Sequence, residues 1–505
     1  MMKIRQTSAF ILLLVCSLSL SSAQTAGKKP SSSSTARKAS ASGAGGPTAW
    51  KQVPVPPLHQ FHPQEPRRVE LPNGLIVFLQ EDHELPLIDG TFRIRGGSRD
   101  VPAEKTGLMD IYSEAWRTGG TRSKTGDQLD DELEMKAARV ETMDSIDSTY
   151  LSWSSLKEDF DQVLPVVLDI LENPEFRQDK IDLAKQESAS FIARRNDDVS
   201  QIARRESTRL AYGADNPYAR ISEYNTIAAI TRDDLLKWHK QTTAPNNMIL
   251  GVTGDFDAAA MERKLRDTFG KLPKGEPFTS PQIVFHDPTP GIYFIEKDDV
   301  NQSVISMVDL GIERRNPDFY AVEVMNELFG GGFSSRLVSN IRTKEGLAYN
   351  VGGGIGAAYD HPGVLRIAMG TKSGSTAAAI DALNKQIVEL IKDGVKQEEI
   401  QKAKDSILNS FIFSFDSKEK VLGERISYEF YGYPADFLER YRAGIEKVTP
   451  DDVNRVARKY IHPEKLAVLV VGNAKDFDRD LATFGKVTPL EIRIPPAKKA
   501  GENSR

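Results

Sequence analysis

The stretch TGLMDIYSEAWRTGGT, residues 106–121, places Leu108, Ile111, Tyr112, Ala115 and Trp116 at i, i+3, i+4, i+7 and i+8. That spacing draws one apolar stripe along a helix. Asp110, Ser113, Glu114 and Arg117 fall on the opposite, polar side. Gly107 precedes the helix and Gly119-Gly120 ends it. Upstream, Val69 to Leu79 alternates about an Asn73-Gly74 pair and predicts a hairpin; Leu87 to Arg95 predicts a second strand that runs into Gly96-Gly97-Ser98-Arg99. Downstream, Met143 to Ser155 is β-branched and alternating, Leu164 to Glu172 is an amphipathic helix, and Asp179 to Ala211 is a long, charged helical stretch. Thr231-Arg232-Asp233-Asp234-Leu235 opens a capped helix, and Asn247 to Gly254 is a strand.

An internal repeat sets the architecture. Residues 230–254, ITRDDLLKWHKQTTAPNNMILGVTG, return as residues 448–472, VTPDDVNRVARKYIHPEKLAVLVVG, at a gapless offset of 218. Thr231/Thr449, Asp233/Asp451, Asp234/Asp452, Pro245/Pro463 and Gly254/Gly472 are identical, and both copies continue to Phe-Gly-Lys. Identities at cap and turn positions, in order, predict two like-folded domains: an N-terminal one over 64–275, a linker over 276–289, a C-terminal one over 290–490 and a tail over 491–505.

The order of strand, glycine turn, short loop and opening helix over Val69 to Thr121 resembles the metal helix region of the pitrilysin–insulysin–mitochondrial processing peptidase family, the inverzincins. Tyr212-Gly213 with Asn216-Pro217-Tyr218 resembles a later family segment, with Asn216 where a histidine is usual. The resemblance implies an α+β fold of two homologous α/β-roll domains, mostly antiparallel sheets with helices packed on one face. It also implies H-x-x-E-H on the opening helix. The corresponding positions here are Asp110-Ile111-Tyr112-Ser113-Glu114, so both histidines and the catalytic glutamate are replaced, and the family's spacing puts the last ligand at Phe191. A peptidase zinc site needs imidazole and carboxylate ligands around an open position, plus a base for the water. None of these four side chains supplies that set. Asp110 and Glu114 suit Mg²⁺ or Ca²⁺ better than Zn²⁺ but are too few alone; the plainer reading is a solvated acidic face.

Gly331 to Leu337 and Asn340 to Val351 resemble the family's C-terminal-domain segment, in which an arginine and a tyrosine seven residues apart hold substrate over the zinc. Arg342 and Tyr349 match. Their implied chemistry is hydrogen bonding to a peptide carbonyl as it becomes an oxyanion; the alternative is that Arg342 caps a helix and Tyr349 is core. Gly330-Gly331-Gly332 lacks the Lys-Ser/Thr ending of a phosphate loop. Of seven histidines only His59 and His62 are close in sequence, ahead of the first strand.

The chain has 505 residues, 39% hydrophobic and 27% charged, with a formal charge of −5, which gives no footing for nucleic acid. Lys3 and Arg5, the apolar run Ala9 to Leu20 and Ser21-Ser22-Ala23 predict a secretory signal over residues 1–23, whose loss takes the charge to −7. The apolar run is shorter than the roughly 20 residues a membrane span needs. The one cysteine, Cys16, lies inside it; lipidation there is disfavoured by the bulky Val15. Residues 24–63 are rich in Ser, Ala, Gly, Lys and Pro and read as a disordered linker. The expectation is therefore a non-catalytic, peptidase-like subunit in the bacterial periplasm. It carries no cofactor of its own, meets a homologous zinc-bearing subunit in a heterodimer, and lends Arg342 and Tyr349 in trans to its peptide substrate. The alternatives are a peptide-binding or structural assembly protein with no peptidase partner and, last, an active peptidase with an unusual metal site.

Overall fold

The computed structural model describes residues 64–497. The expected signal segment, the 24–63 linker, His59 and His62 lie outside the described residues, as do residues 498–505. The N-terminal lobe runs β1 (Arg67–Glu70), β2 (Ile76–Glu81), β3 (Leu87–Arg95), α1 (Leu108–Thr118), α2 (Gly126–Glu134), β4 (Arg139–Asp144), β5 (Ser148–Leu156), α3 (Phe160–Glu172), α4 (Gln178–Arg194), α5 (Val199–Tyr212), α6 (Tyr224–Ala228), α7 (Arg232–Thr242), β6 (Met248–Gly254) and α8 (Ala258–Phe269). β1 and β2 form the expected hairpin, turning through Gly74 at φ +86°, a left-handed conformation that glycine adopts without strain. The apolar stripe of α1 is wholly inside: Ile111, Tyr112, Ala115 and Trp116 are all 0% exposed, packed with Phe92, Phe176 and Ile170 into one core.

The C-terminal lobe runs β7 (Gly291–Glu296), β8 (Gln302–Leu310), β9 (Ile312–Glu313), α9 (Phe319–Asn326), β10 (Asn350–Ala358), β11 (Pro362–Lys372), α10 (Thr376–Asp393), α11 (Gln397–Phe411), α12 (Lys418–Tyr431), α13 (Phe437–Lys447), α14 (Pro450–Tyr460), β12 (Ala467–Gly472) and β13 (Val487–Pro489). Two π-helical turns, Glu327–Gly331 and Val338–Lys344, flank the loop that follows α9. The duplication is visible in the sheets. The first is ordered β1-β2-β6-β3-β5-β4 and the second β13-β7-β12-β8-β11-β10-β9. In each, the repeat strand (β6 or β12) lies between a parallel and an antiparallel neighbour. The repeated caps are built alike: Thr231 accepts from the backbone N–H of Asp234, and Thr449 from that of Asp452.

Each lobe also lends one helix to the other. α5 packs on β8 and β12, where Ile202 and Ala203 meet Ile295, Leu469 and Val471. Its counterpart α12 packs on β2 and β6, where Leu422, Ile426 and Phe430 meet Phe78 and Ile249. The long charged stretch therefore does not form one helix. α4 stops at Arg194, and Asp198 starts α5 by accepting from the Gln201 N–H. The break redirects the chain from its own lobe onto the other sheet. Residues beyond β13 do the reverse, with Ile492 beside the α5 cluster and Ile494 against the N-terminal core. Among the described residues no helix is long and apolar enough to cross a membrane.

Candidate functional site

The positions singled out on α1 and α4 come together. Asp110, Ser113 and Glu114 project from one side of α1; Ala184, Glu187, Ser188 and Phe191 project from α4; Asp144 closes β4. With Ser222 they line one small cavity, which opens into a cleft of about 840 Å³ bounded by Asp110, Glu187, Phe191, Arg220 and Ser222 among others. The Ser113 hydroxyl donates to Asp144 Oδ1 at 2.8 Å, and the Thr142 hydroxyl donates to the Ser113 carbonyl at 2.6 Å, which ties β4 to α1. Phe191 is 79% exposed, an aromatic ring held in a cleft rather than in a core.

Carboxylates crowd this floor. Removal from water in the concavity, followed by the charge of Asp144, pushes Asp110 up to about 6, although its side chain still opens to the cleft. Asp144 is raised by burial, partly offset by the Ser113 hydroxyl. Glu114 is raised by burial and then by the charges of Glu187 and Glu141. The donor set does not fit a peptidase zinc. No imidazole is present, Phe191 has no donor atom, and among the described residues no group of three His, Cys, Asp or Glu is placed to hold a metal ion. Ser113, at the place of the general base, spends its proton on Asp144.

The histidine packed against the buried side of α1 is structural. His239 on α7 is 7% exposed, with Nε2 2.9 Å from the Leu171 carbonyl and Nδ1 2.8 Å from the Tyr112 hydroxyl. A carbonyl only accepts, so Nε2 carries the proton and Nδ1 accepts from tyrosine. Burial lowers this imidazole to about 4 and keeps it neutral.

Arg342 and Tyr349 are on the C-terminal lobe and line neither cavity. Arg342, on the second π-helical turn, is exposed and makes no hydrogen bond or ion pair among the described residues, so it does not cap the helix. Tyr349 is 82% exposed and so is not core. The reading from sequence missed Glu187, Asp144 and Arg220. Glu187 stands one helical turn before Phe191 and was detectable by spacing; the other two arrive through tertiary structure.

Residues 89–216 match the model of the insulinase family, peptidase family M16, and residues 229–407 match the peptidase M16 inactive domain. The chain belongs to the peptidase M16 family. Among its M16 relatives, the non-peptidase homolog YmxG of Helicobacter pylori is 24% identical over 404 residues, 79% of this chain and 92% of that protein. An uncharacterized zinc protease of Streptomyces coelicolor is 23% identical over 420 residues, 81% and 90% of the two chains. Two solved structures share the fold. The peptidase M16 inactive domain from Pseudomonas fluorescens has a TM-score of 0.72 at 23% identity, covering 81% of this chain and 98% of that one. A protease from Helicobacter pylori has a TM-score of 0.71 at 20% identity, covering 81% and 100%.

Proposed function

We propose that this chain is the non-catalytic subunit of a two-subunit zinc peptidase of the M16 family, working in the bacterial periplasm. It holds peptide against a homologous subunit that carries the metal. The observation that carries this reading is the joint replacement at one cavity of every metal-handling position by Asp110, Ser113, Glu114 and Phe191, while the α1–α4–β4 frame around them is kept. Arg342 and Tyr349 add support. Both stand free of their own lobe, as side chains that act on something outside it must. In this role they donate to the scissile carbonyl in the partner's site as negative charge develops there.

The test is co-expression with a homologue bearing H-x-x-E-H from the same genome. Co-purification, with peptide cleavage by the pair and by neither chain alone, is the expected result. Cleavage by the zinc-bearing chain alone at the full rate of the mixture would remove the proposed role and leave an assembly protein. Fractionation of the source cells, with the mature chain starting near Gln24 in the periplasmic fraction, tests the location.

A further inference from the structure

Four arginines line the cleft beside Phe191, and three of them are in direct contact with a carboxylate of the protein. Arg194 pairs with Asp197 at 3.2 Å, Arg195 with Glu223 at 2.7 Å and Arg205 with Glu206 at 2.7 Å. Arg220, on the loop between α5 and α6, has no carboxylate within ion-pair distance among the described residues. Its one side-chain hydrogen bond among the described residues runs from Nη2 to the Arg99 carbonyl at 3.5 Å, and its Nε is buried without a partner there. Burial lowers its affinity for a proton, with Glu104 and Asp215 the nearest compensating charges. A guanidinium partly withdrawn from water without a carboxylate in direct contact costs stability and returns little to the fold. The loop fixes its backbone all the same, with the Arg220 N–H donating to the Asn216 carbonyl at 3.0 Å.

We propose that Arg220 is the carboxylate-recognition residue of this cleft, and that the peptide bound there carries an apolar side chain on Phe191 next to a carboxylate on Arg220. This rests on the peptide-holding reading above and names its substrate class. The guanidinium fork matches a carboxylate with two parallel hydrogen bonds. An aromatic ring 79% exposed in a concave wall marks a surface that gains by being covered. A cleft of about 840 Å³ has the size of a ligand site. The carboxylate has two possible sources, an Asp or Glu side chain or the peptide's own C-terminus.

The experiment uses the mature full-length chain and short fluorescein-labelled Gly/Ser peptides, read by fluorescence anisotropy. One contains Phe-Glu and is amidated, one contains Phe-Gln and is amidated, and one ends in Phe with a free carboxylate. One or both carboxylate peptides bind about tenfold or more tightly than the amidated Phe-Gln peptide; which of the two does so identifies the source. Arg220→Gln abolishes that preference, Arg194→Gln keeps it, and Phe191→Ala weakens all three peptides. In the unaltered protein the preference shrinks with added salt, a measurement independent of how any variant folds. Equal binding of the Glu and Gln peptides with no gain from a free C-terminus, a preference that survives in folded Arg220→Gln, or one indifferent to salt overturns the proposal and leaves peptide holding intact. Failure of all three peptides to bind overturns both.

Discussion

Arg99 Nη1 lies 2.7 Å from Asp360 Oδ2, joining the loop that leads towards α1 in one lobe to the turn between β10 and β11 in the other. The same guanidinium donates to the Tyr218 hydroxyl and lies 5.6 Å from that ring's centre, while His361 stacks on the same ring at 3.9 Å. The cleft wall that carries Tyr218 is thus pinned to the opposite lobe. Arg99→Ala should destabilise the chain by about 2 kcal/mol, since it removes charged hydrogen bonds and leaves the partly buried Asp360 carboxylate with His361 alone. Arg99 and His361 hold Asp360 down to about 2 against its burial. The contribution is therefore complete above the ordinary carboxylate range and is lost as pH falls from about 4 towards 2. Urea unfolding of both proteins across that range is the measurement, and the gap between them should close in acid.

Asp110 has the opposite sign. Its folded value, raised to about 6, exceeds the unfolded one, so its ionisation opposes folding as pH rises from about 4 through 6. Asp110→Asn should raise the melting temperature at pH 7.5 and leave it unchanged below the unfolded pKa. A variant less stable than the parent at neutral pH would mean that the carboxylate holds something that compensates it.

The two exchanged helices rest on complementary volumes. Gly251 of β6 lies under α12, where an added Cβ would come 2.4 Å from Ile426 Cδ1 and 3.3 Å from Leu422. The residue 218 positions on is Leu469 of β12, which lies under α5 against Ala203. The sheet is small where the visiting helix is large, and large where it is small. Gly251→Leu should therefore force α12 off its seat at a cost of about 1–3 kcal/mol or more. Limited proteolysis should then cut the segment around α12 first, while Gly251→Ala, absorbed by rotation of Ile426, costs less.

Local pattern made much of this legible and tertiary pairing hid the rest. The stripe from Leu108 to Trp116 gave α1 its orientation, and with it the direction of Asp110, Ser113 and Glu114, because helical spacing is local. The 218-residue offset gave the duplication, which the matching strand orders bear out. The break between Arg194 and Asp198 was missed because charged residues continue the helical composition across it; the cap at Asp198 was the available signal. Asp144 reaches Ser113 only through the register of β4 on β5, and the lack of a direct carboxylate partner for Arg220 among the described residues is set by how the loops pack around it. Neither is encoded in spacing.

Arg342 and Tyr349 decide the role in trans. Their mountings are rigid: Ile341 beside Arg342 is 0% exposed, Asn340 donates to Gln386 at 2.6 Å, and the Tyr349 N–H donates to the Gly370 carbonyl at 3.0 Å. Their heads make no hydrogen bond, ion pair or ring contact among the described residues, so neither Arg342→Ala nor Tyr349→Phe should move the melting point beyond the roughly 0.5 kcal/mol of an ordinary surface change. In the assembled pair, loss of one oxyanion donor is worth about 3 kcal/mol, so Arg342→Ala should lower kcat by about a hundredfold with assembly unchanged by sedimentation. Tyr349→Phe should act in the same direction and less strongly, because the arginine remains. A donor used only at the transition state lowers kcat and kcat/KM together, whereas one that merely holds substrate raises KM. Full turnover in a correctly assembled Arg342→Ala pair would show that the partner works unaided, and that these two exposed side chains serve another contact.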